Sequence, residues 1–258
     1  MLFVLSPAKT LDFTPGPEIA STRPAFTKDI TELAAVTRRL TPSDLRRLMD
    51  ISDRLAVLNV DRFQSFDAKC RDGVPAAFAF AGDVYDGLRA RELDEGALEY
   101  AQAHVRILSG LYGLLRPLDC IQPYRLEMGV RLTTKRGATL YDFWGDRIAK
   151  ALNKAAEGQS DRTLVNLASQ EYFGAVDARA LKLPLLACTF KEEREGQIRI
   201  IPFFAKKARG EMARFAALER IERREDLKAF TGMGYGYRSD LSSDREYVFA
   251  REQPEPQG

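Results

Sequence analysis

The sequence of 258 residues contains one histidine and only three cysteines. A Ser-His-Asp or Cys-His catalytic site, or a histidine-rich metal site, would therefore have to use His104. Cys70, Cys120 and Cys188 form no C-x-x-C pair, which argues against a zinc site or a thioredoxin-like site. Because the cysteines are odd in number and far apart, we expect reduced thiols in a cytoplasmic protein.

The chain also lacks a long apolar run and a strong excess of one charge. No stretch of about 18 apolar residues occurs, so we expect no membrane-spanning segment. The apolar start, Leu2–Leu5, is too short for a signal peptide. The 39 basic and 37 acidic residues give a formal net charge of +2, which excludes a strongly basic nucleic-acid coat but not a local basic patch.

Strand and helix patterns are mixed along the whole chain. Short apolar runs predict buried strands at Leu2–Leu5, Val105–Leu108 and Leu164–Leu167. Leu185–Phe190 and Gln197–Ile201 flank a charged turn and predict a hairpin. This mixture is typical of an α/β or α+β domain around one mixed sheet. We find no repeat or domain boundary, and residues 251–258 are predicted to be a disordered tail.

Local signals give further predictions. Thr41 and Ser52 are predicted to cap two consecutive helices, so that Thr41–Phe63 forms a helical hairpin. Clean alternation of apolar and polar residues predicts an extended strand over Tyr124–Leu132. Helical spacing predicts one helix over Leu140–Glu157.

Polar side chains follow three of the predicted strands. Lys9 follows the first strand and Glu171 follows the third. Ligands bind beyond the carboxyl ends of parallel strands, so we expect these side chains to converge if the strands are neighbours. The alternative is that serine and glycine simply end strands well. The residues predicted to line the cleft are Ser6, Ser109, Tyr112, Tyr124, Ser169 and Tyr172.

Two carboxylates and two arginines are candidates for chemistry in this cleft. Glu127 and Glu171 lie in motif-like surroundings and are the candidate catalytic acid and base. Arg116 and Arg125 are suited to bidentate recognition of phosphate or carboxylate. The alternative for Arg125 is an ion pair with Glu127 on the exposed face of a strand.

A basic helix is predicted after Phe203, with Lys206, Lys207 and Arg209 in its first turn. Cations there oppose the helix macrodipole by about 0.3–1 kcal/mol each, so we expect a phosphate to compensate them. The alternative is a solvated face with glutamate partners at helical spacing. The predicted phosphate-binding residues are Lys9, Arg116, Arg125, Lys206, Lys207 and Arg209.

Six segments resemble the hallmark segments of the YaaA family of bacterial peroxide-stress proteins. They are Leu5–Asp12 (LSPAKTLD), Gly82–Tyr85 (GDVY), Ser109–Asp119 (SGLYGLLRPLD), Pro123–Gly129 (PYRLEMG), Asn166–Phe173 (NLASQEYF) and Ala205–Gly210 (AKKARG). The resemblance covers residues 1 to about 250. It implies a single domain over that range, in which helices wrap a twisted sheet of unusual topology.

The resemblance also implies a helix-hairpin-helix element and a positively charged cleft suited to DNA. The element maps onto Thr41–Phe63. Its turn, Asp50-Ile51-Ser52-Asp53, carries two acids and no glycine, whereas DNA-binding hairpins of this kind usually expose glycine N–H groups to phosphate. The cleft cations are therefore the preferred DNA contacts. In the cell, the resemblance implies a role in limiting free iron and oxidative damage during peroxide stress.

Two functions remain open at this point. The first is a cytoplasmic DNA-binding protein of the peroxide-stress response that protects DNA from oxidation and is linked to lower free iron. The second is an enzyme that acts on a nucleobase, a nucleotide or a DNA lesion in the same cleft. Whether the protein is an enzyme is left undecided. No cofactor and no metal site are predicted, because one histidine and three scattered cysteines are poor ligands for iron, although a carboxylate site stays possible.

Overall fold

A mixed sheet forms the centre of the fold in the computed structural model, which describes residues 1–14, 16–17 and 19–254. The strands are β1 (Leu2–Leu5), β2 (Thr10–Leu11), β3 (Val74–Pro75), β4 (Phe80–Ala81), β5 (Val105–Ser109), β6 (Gly113–Leu115), β7 (Cys120–Ile121), β8 (Leu164–Leu167), β9 (Leu185–Arg194), β10 (Gln197–Arg199), β11 (Gly236–Tyr237) and β12 (Glu246–Glu252).

The helices flank this sheet in one domain. They are α1 (Thr27–Thr37), α2 (Pro42–Met49), α3 (Asp53–Ser65), α4 (Ala76–Ala79), α5 (Asp83–Leu88), α6 (Glu95–His104), α7 (Leu140–Trp144), α8 (Arg147–Ala155), α9 (Gln170–Phe173) and α10 (Pro202–Leu218). Short 3₁₀ turns lie at Ala90–Glu92, Arg224–Ala229, Gly232–Gly234 and Ser239–Leu241. The predicted α/β class is confirmed.

The main sheet has eight strands in the order β11-β12-β9-β8-β1-β5-β6, and β10 pairs with β9. Strand β1 runs parallel to both β5 and β8. Its four residues, Leu2–Leu5, are fully buried because strands cover both of its sides and helices cover its faces. The strand predicted at each of these three positions is confirmed, and so is the hairpin of β9 and β10.

The predicted helical hairpin is present as α2 and α3. Thr41 and Asp44 form a reciprocal capping box at the start of α2, and the Ser52 side chain caps α3. Asp50 closes the turn in a left-handed conformation at φ 50°. The two helices and their caps follow the prediction, but nothing in this geometry confirms a DNA-binding helix-hairpin-helix.

The segment Tyr124–Leu132 corrects one prediction in part. Its side chains do alternate, with Tyr124, Leu126, Met128, Val130 and Leu132 buried. However, the segment pairs with no neighbouring strand and is not a β-strand. The alternation of apolar and polar residues therefore predicted correctly which side chains are buried. It did not predict strand pairing, because buried side chains do not require a ladder of main-chain hydrogen bonds.

The single helix predicted over Leu140–Glu157 is wrong. It is divided into α7 and α8, because Gly145 takes φ 48°, a conformation that no α-helix contains. The side chains expected to face inward, among them Trp144 and Ile148, are nevertheless buried. The apolar spacing persists across the break, so it conceals the break from sequence inspection.

The expectation of reduced thiols is also wrong. Cys70 and Cys120 form a disulfide, although 50 residues separate them in sequence. The antiparallel pairing of β3 with β7 places Pro75 opposite Cys120 and brings the loop after α3 close to β7. Cys188 is the free, buried cysteine.

The C-terminal segment differs in part from the prediction. Strand β12 continues through Glu252, so the main sheet includes two residues of the segment predicted to be a disordered tail. Residues 255–258 lie outside the described residues. No helix within the described ranges is both long enough and apolar enough to cross a membrane.

Helices α5 and α10 cross at main-chain contact distance. A Cβ placed on Gly210 would lie 1.8 Å from the carbonyl oxygen of Val84, and one on Gly87 would lie 2.1 Å from that of Lys207. Only glycine permits so close an approach at these positions. The crossing fixes α10 against the segment that carries Asp83 and Tyr85.

Candidate functional site

The carboxyl ends of three parallel strands meet at one edge of the sheet, as the sequence predicts. Leu5 at the end of β1 pairs with Ile107 of β5 and with Leu167 of β8. The segments that follow these strands, together with the segment after β7, form what we call the rim. It comprises residues 6–9, 109–113, 124–129 and 169–173.

A hydrogen-bond network joins two of the predicted serines. The main-chain N–H of Ser169 donates to Ser6 Oγ at 2.9 Å, and Ser6 Oγ lies 3.3 Å from Ser169 Oγ. The Tyr85 hydroxyl donates to the carbonyl oxygen of Ser6 at 3.0 Å. The end of β1 is therefore tied to both α9 and α5.

A second network surrounds Ser109, which is fully buried. Ser109 Oγ and the Tyr124 hydroxyl share a hydrogen bond of 2.6 Å, and the N–H of Tyr112 donates to the same Oγ at 3.0 Å. The Tyr112 hydroxyl accepts the N–H of Gln122 at 2.9 Å. Each polar atom named here has a partner, as buried polar groups require.

Four tyrosines form the buried floor of the rim. Burial raises the pKa of Tyr85, Tyr112, Tyr124 and Tyr172 above the ordinary value for a phenol. For Tyr172, the charges of Glu171 and Glu127 add to burial and raise its pKa further, so both carboxylates lie near it. These hydroxyls are therefore neutral donors or acceptors at neutral pH and do not serve as bases.

Glu127 lies between two cations. Its Oε2 is 2.9 Å from Lys9 Nζ, and its Oε1 is 3.0 Å from Arg125 Nη2. The Lys9 side chain is 61% exposed, whereas those of Arg125 and Glu127 are 19% and 17% exposed. The crevice between them has a volume of about 10 Å³, room for about one water molecule. Lys9 is therefore the most exposed member of this group.

Glu171 lies at the opposite side of the same rim and is exposed. Its Oε1 accepts the main-chain N–H of Gly129 at 3.0 Å, and its carbonyl oxygen accepts the Tyr141 hydroxyl at 2.9 Å. The two predicted acid–base residues thus flank Tyr172. The structure thus places both predicted residues on one rim, and their role in catalysis stays a prediction.

The basic helix α10 begins earlier than the sequence suggests. Pro202 is its first residue, so Lys206, Lys207 and Arg209 lie beyond its first turn. The expected conflict between three cations and the helix macrodipole is therefore absent, since that effect falls off within the first turn. The start of this helix therefore does not require a compensating phosphate.

Lys206 does lie close to the rim. Its Nζ is 3.7 Å from Asp83 Oδ2, and its side chain is 55% exposed. Asp83 follows Gly82, where an added Cβ would lie 3.8 Å from the Cβ of Ala8, the neighbour of Lys9. Two exposed lysines from distant parts of the sequence therefore border the same region.

Lys207 and Arg209 differ from these lysines because neither forms an ion pair within the described part of the chain. Burial lowers the pKa of Arg209, which is half-buried between the buried residues Ala208 and Gly210. Its guanidinium group is therefore partly shielded from water, and no carboxylate within the described residues balances its charge.

Arg116 does not join the rim. Strand β6 runs antiparallel to β5, with Leu115 opposite Ile107, so that Arg116 lies at the amino-end edge of the sheet beside Arg106. Its side chain binds Asp119 through Nε at 3.1 Å and Nη2 at 2.9 Å, and Asp119 is 1% exposed. The sequence could not show this reversal of direction.

An open cleft separates the rim from the helical hairpin. It has a volume of about 590 Å³ and lies between Gly129–Thr133 on one side and α1 and α2 on the other. Arg47 and Arg131 contribute to its walls. The hairpin therefore lies next to the rim, across this cleft.

Two residues at the site were not predicted from the sequence. Tyr85 and Asp83 belong to the GDVY segment, which carried the family resemblance without being assigned a role. The hydroxyl of Tyr85 supports β1, and the carboxylate of Asp83 holds Lys206. Their presence in a hallmark segment was the one available signal.

Comparisons with known proteins agree with this picture of one domain. A family model described as peroxide stress protein YaaA matches residues 1–241. A UPF0246 protein of Phenylobacterium zucineum is 64% identical over 257 residues, which covers 99% of this chain and 97% of that protein. A UPF0246 protein of Caulobacter sp. (strain K31) is 62% identical over 255 residues, which covers 98% of this chain and all of that protein. This chain belongs to the YaaA family of peroxide stress proteins.

Proposed function

We propose that this protein binds DNA in the cytoplasm during peroxide stress and protects it from oxidative damage. The rim and the start of α10 would contact the phosphates. The link to lower free iron, which the family resemblance implies, belongs to the same proposal and has no separate support in the described residues.

One observation carries the proposal: Lys9 and Lys206, two exposed cations from distant segments, border the rim. Lys9 and Lys206 are more than half exposed, and each is balanced by one carboxylate. Lys207 and Arg209 have no carboxylate partner in the described part of the chain. A DNA phosphate can replace Glu127 or Asp83 at the lysines and can approach Lys207 without displacing a carboxylate.

The turn of the helical hairpin receives no phosphate in this proposal. Asp50 and Asp53 place negative charge at that turn, and Arg46 is already paired with Asp53 at 2.7 Å. DNA would therefore lie on the rim, and the hairpin would face it across the open cleft.

Salt-dependent binding of duplex DNA tests the rim assignment. The double variant Lys206→Ala, Lys207→Ala should weaken binding and reduce the slope of log affinity against log salt by about 0.9 for each lost phosphate contact. Arg179→Ala with Lys182→Ala is a matched control, because it removes two cations near the start of β9, at the amino-end edge of the sheet. An unchanged affinity and salt slope in the first double variant would refute the rim assignment.

The variant Glu127→Gln should change the affinity for DNA in the opposite direction. It removes the carboxylate that balances Lys9 and Arg125, so both cations become available to phosphate. We expect binding to tighten about two- to fivefold at moderate salt, the equivalent of one exposed ion pair. Weaker binding by this variant would show that Glu127, rather than the cations, contacts the ligand.

A second candidate function is an enzyme that acts on a nucleobase, a nucleotide or a DNA lesion. It is favoured by the two carboxylates that flank Tyr172 above a floor of hydrogen-bonded tyrosines. Glu171 or Glu127 would serve as the acid or base, and an extruded base would stack on an aromatic ring. A screen of damaged and bulged duplexes should then yield a product that Glu171→Gln fails to form. If no duplex is converted, binding remains the whole function.

A further inference from the structure

The amino-end edge of the sheet carries a cavity that the proposed DNA-binding function does not use. Its volume is about 790 Å³, within the range of small-molecule sites. Much of its wall is apolar and comes from Ile19, Leu93, Leu98 and Leu118. The charged residues of α10 and the rim do not line it, so it is separate from the site described above.

Arg106 is the unusual residue of this cavity. It is only 9% exposed, and its Nη1 donates to the carbonyl oxygens of Gln102 at 3.1 Å and Val105 at 2.7 Å. Within the described ranges it has no carboxylate partner, and its Nε and Nη2 form no hydrogen bond. Neither nitrogen is among the fully buried polar atoms that lack a partner, so a ligand in the cavity can reach both of them.

The charges around Arg106 leave one positive charge unbalanced. The groups whose charge acts on it are Arg116 and Asp119. Asp119 is already engaged by Arg116 through two side-chain hydrogen bonds, so one carboxylate serves two guanidinium groups. Burial lowers the pKa of Arg106 to about 10, and Arg106 is therefore still a cation at neutral pH.

The wall also contains Gln102 and the exposed carboxylates of Glu95 and Glu99, which are not among the groups whose charge acts on Arg106. Gln102 accepts the N–H of Leu118 at 2.8 Å and donates to Thr22 at 3.2 Å, so its side chain is fixed by the protein itself. Nε and Nη2 of Arg106 therefore remain as unused donors in this wall. They form one planar edge, which matches a carboxylate in a bidentate arrangement.

We propose that this cavity binds a small molecule in which one carboxylate is attached to an apolar body. The carboxylate would accept hydrogen bonds from Nε and Nη2 of Arg106, and the apolar body would pack against Leu93, Leu98 and Leu118. A monoanion matches the single unbalanced charge, whereas a phosphate dianion would leave a negative charge buried against apolar walls.

Binding of 2-naphthoate tests the proposal on the wild-type protein. The uncharged analogue 2-naphthamide has the same apolar body, and acetate has the carboxylate without it. Calorimetry should show that 2-naphthoate binds at least tenfold more tightly than either. Equal affinity for 2-naphthoate and 2-naphthamide, equal affinity for 2-naphthoate and acetate, or no binding of 2-naphthoate would overturn the proposal.

His104 supplies a local readout. It is the last residue of α6, which also provides Leu98 and Gln102 to the cavity wall. The charge of Arg106 is one of the causes that lower the pKa of His104. A carboxylate on Arg106 should therefore raise the pKa of His104, as followed by proton NMR, whereas 2-naphthamide should leave it unchanged. A His104 pKa that 2-naphthoate does not move would place the ligand elsewhere and refute the proposal.

Arg106→Gln is the matched variant. It keeps a polar side chain but removes the charge, so 2-naphthoate should lose its advantage over 2-naphthamide. Its duplex-DNA affinity should stay at the wild-type level, which also reports that the variant is folded. A retained preference for 2-naphthoate in this variant would exclude Arg106 as its partner, and the wild-type comparison stands if the variant does not fold.

Discussion

The two edges of the central sheet differ in whether their cations have carboxylate partners. At the rim, Lys9 and Arg125 share Glu127, and the enclosed crevice is about 10 Å³. At the amino-end edge, Arg106 keeps two donors unused in a cavity of about 790 Å³. A ligand at the rim must displace an existing partner, whereas a ligand in the cavity meets no competing carboxylate on Arg106. The rim is therefore suited to a polyanion that offers many charges, and the cavity is suited to a single anion.

One segment connects the two edges. It begins at Arg116 and Leu118 beside the cavity and ends at Tyr124 and Glu127 on the rim. The disulfide at Cys120 lies midway along it. Removal of the disulfide should therefore affect both edges, whereas a substitution at the crossing of α5 and α10 should affect the rim alone. His104 reports on the amino-end edge.

The largest change in the free energy of unfolding should come from removal of the disulfide. In the chain-entropy model, a cross-link between residues 50 apart contributes about 4 kcal/mol to the free energy of unfolding. Cys70→Ser with Cys120→Ser should lower that free energy by up to this amount, measured by denaturant titration. Because the segment serves both edges, affinity for DNA and for 2-naphthoate should fall together.

Reductant supplies the control for this prediction. It should destabilise the wild-type protein and leave the double serine variant unchanged, since Cys188 forms no disulfide. Equal stability of the variant and the oxidised wild-type protein would contradict the prediction.

A smaller and local effect is expected from Gly210→Ala. The new Cβ would lie 1.8 Å from the carbonyl oxygen of Val84, so α5 and α10 must separate. We expect the free energy of unfolding to fall by about 3 kcal/mol, the upper end for overpacking. DNA affinity should also fall, because this crossing positions Lys206 and Tyr85. Binding of 2-naphthoate should persist, because neither helix lines the cavity.

Gly236→Ala is the matched control, since a Cβ there would have open space around it. Its stability should differ little from that of the wild-type protein. An equal loss of both ligands in folded Gly210→Ala would show that the edges are not independent.

The smallest effect concerns the titration of His104. Burial lowers the pKa of His104, and the ring stacks on Tyr100 while Nδ1 lies 2.8 Å from the carbonyl oxygen of Met1. As this is the single histidine of the chain, its proton NMR signals need no assignment. The midpoint should lie below 6.5, the value of an unperturbed histidine.

The sign of the pH effect follows from this lowered pKa. The unfolded chain takes up the proton at higher pH than the folded one, so stability is complete above about pH 6.5. It decreases as the pH falls from there toward the folded-state pKa. His104→Gln should remove this component of the pH profile. A midpoint above 6.5 in the wild-type protein would reverse the sign and contradict the prediction.

Much of the sheet was predictable from the sequence because its signals are local. Leu2–Leu5 and Leu164–Leu167 are short apolar runs, and Thr41 and Ser52 are strong helix caps. The convergence of Ser6, Ser109 and Ser169 followed from a general rule about parallel strands.

The features that escaped prediction depend on partners distant in the sequence. Arg116 was expected in the cleft, but its position depends on the direction in which β6 returns along β5. The pairing of Cys70 with Cys120 depends on the contact between β3 and β7. The importance of Arg106 lies in the absence of a carboxylate partner within the described ranges, and the composition of a strand cannot reveal what its neighbours lack.

In the segment Tyr124–Leu132, alternate residues serve different purposes: one set packs in the core and the other faces the rim. Its inward residues, such as Tyr124 and Leu126, are buried in the core, while Arg125 and Glu127 point into the rim. No ladder of main-chain hydrogen bonds constrains the outward positions. Exchange of the Arg125 and Glu127 side chains therefore removes their ion pairs but leaves the apolar residues of the segment in the core. A small library of variants confined to these outward positions could therefore change what the rim recognises while the apolar side of the segment keeps its place in the core.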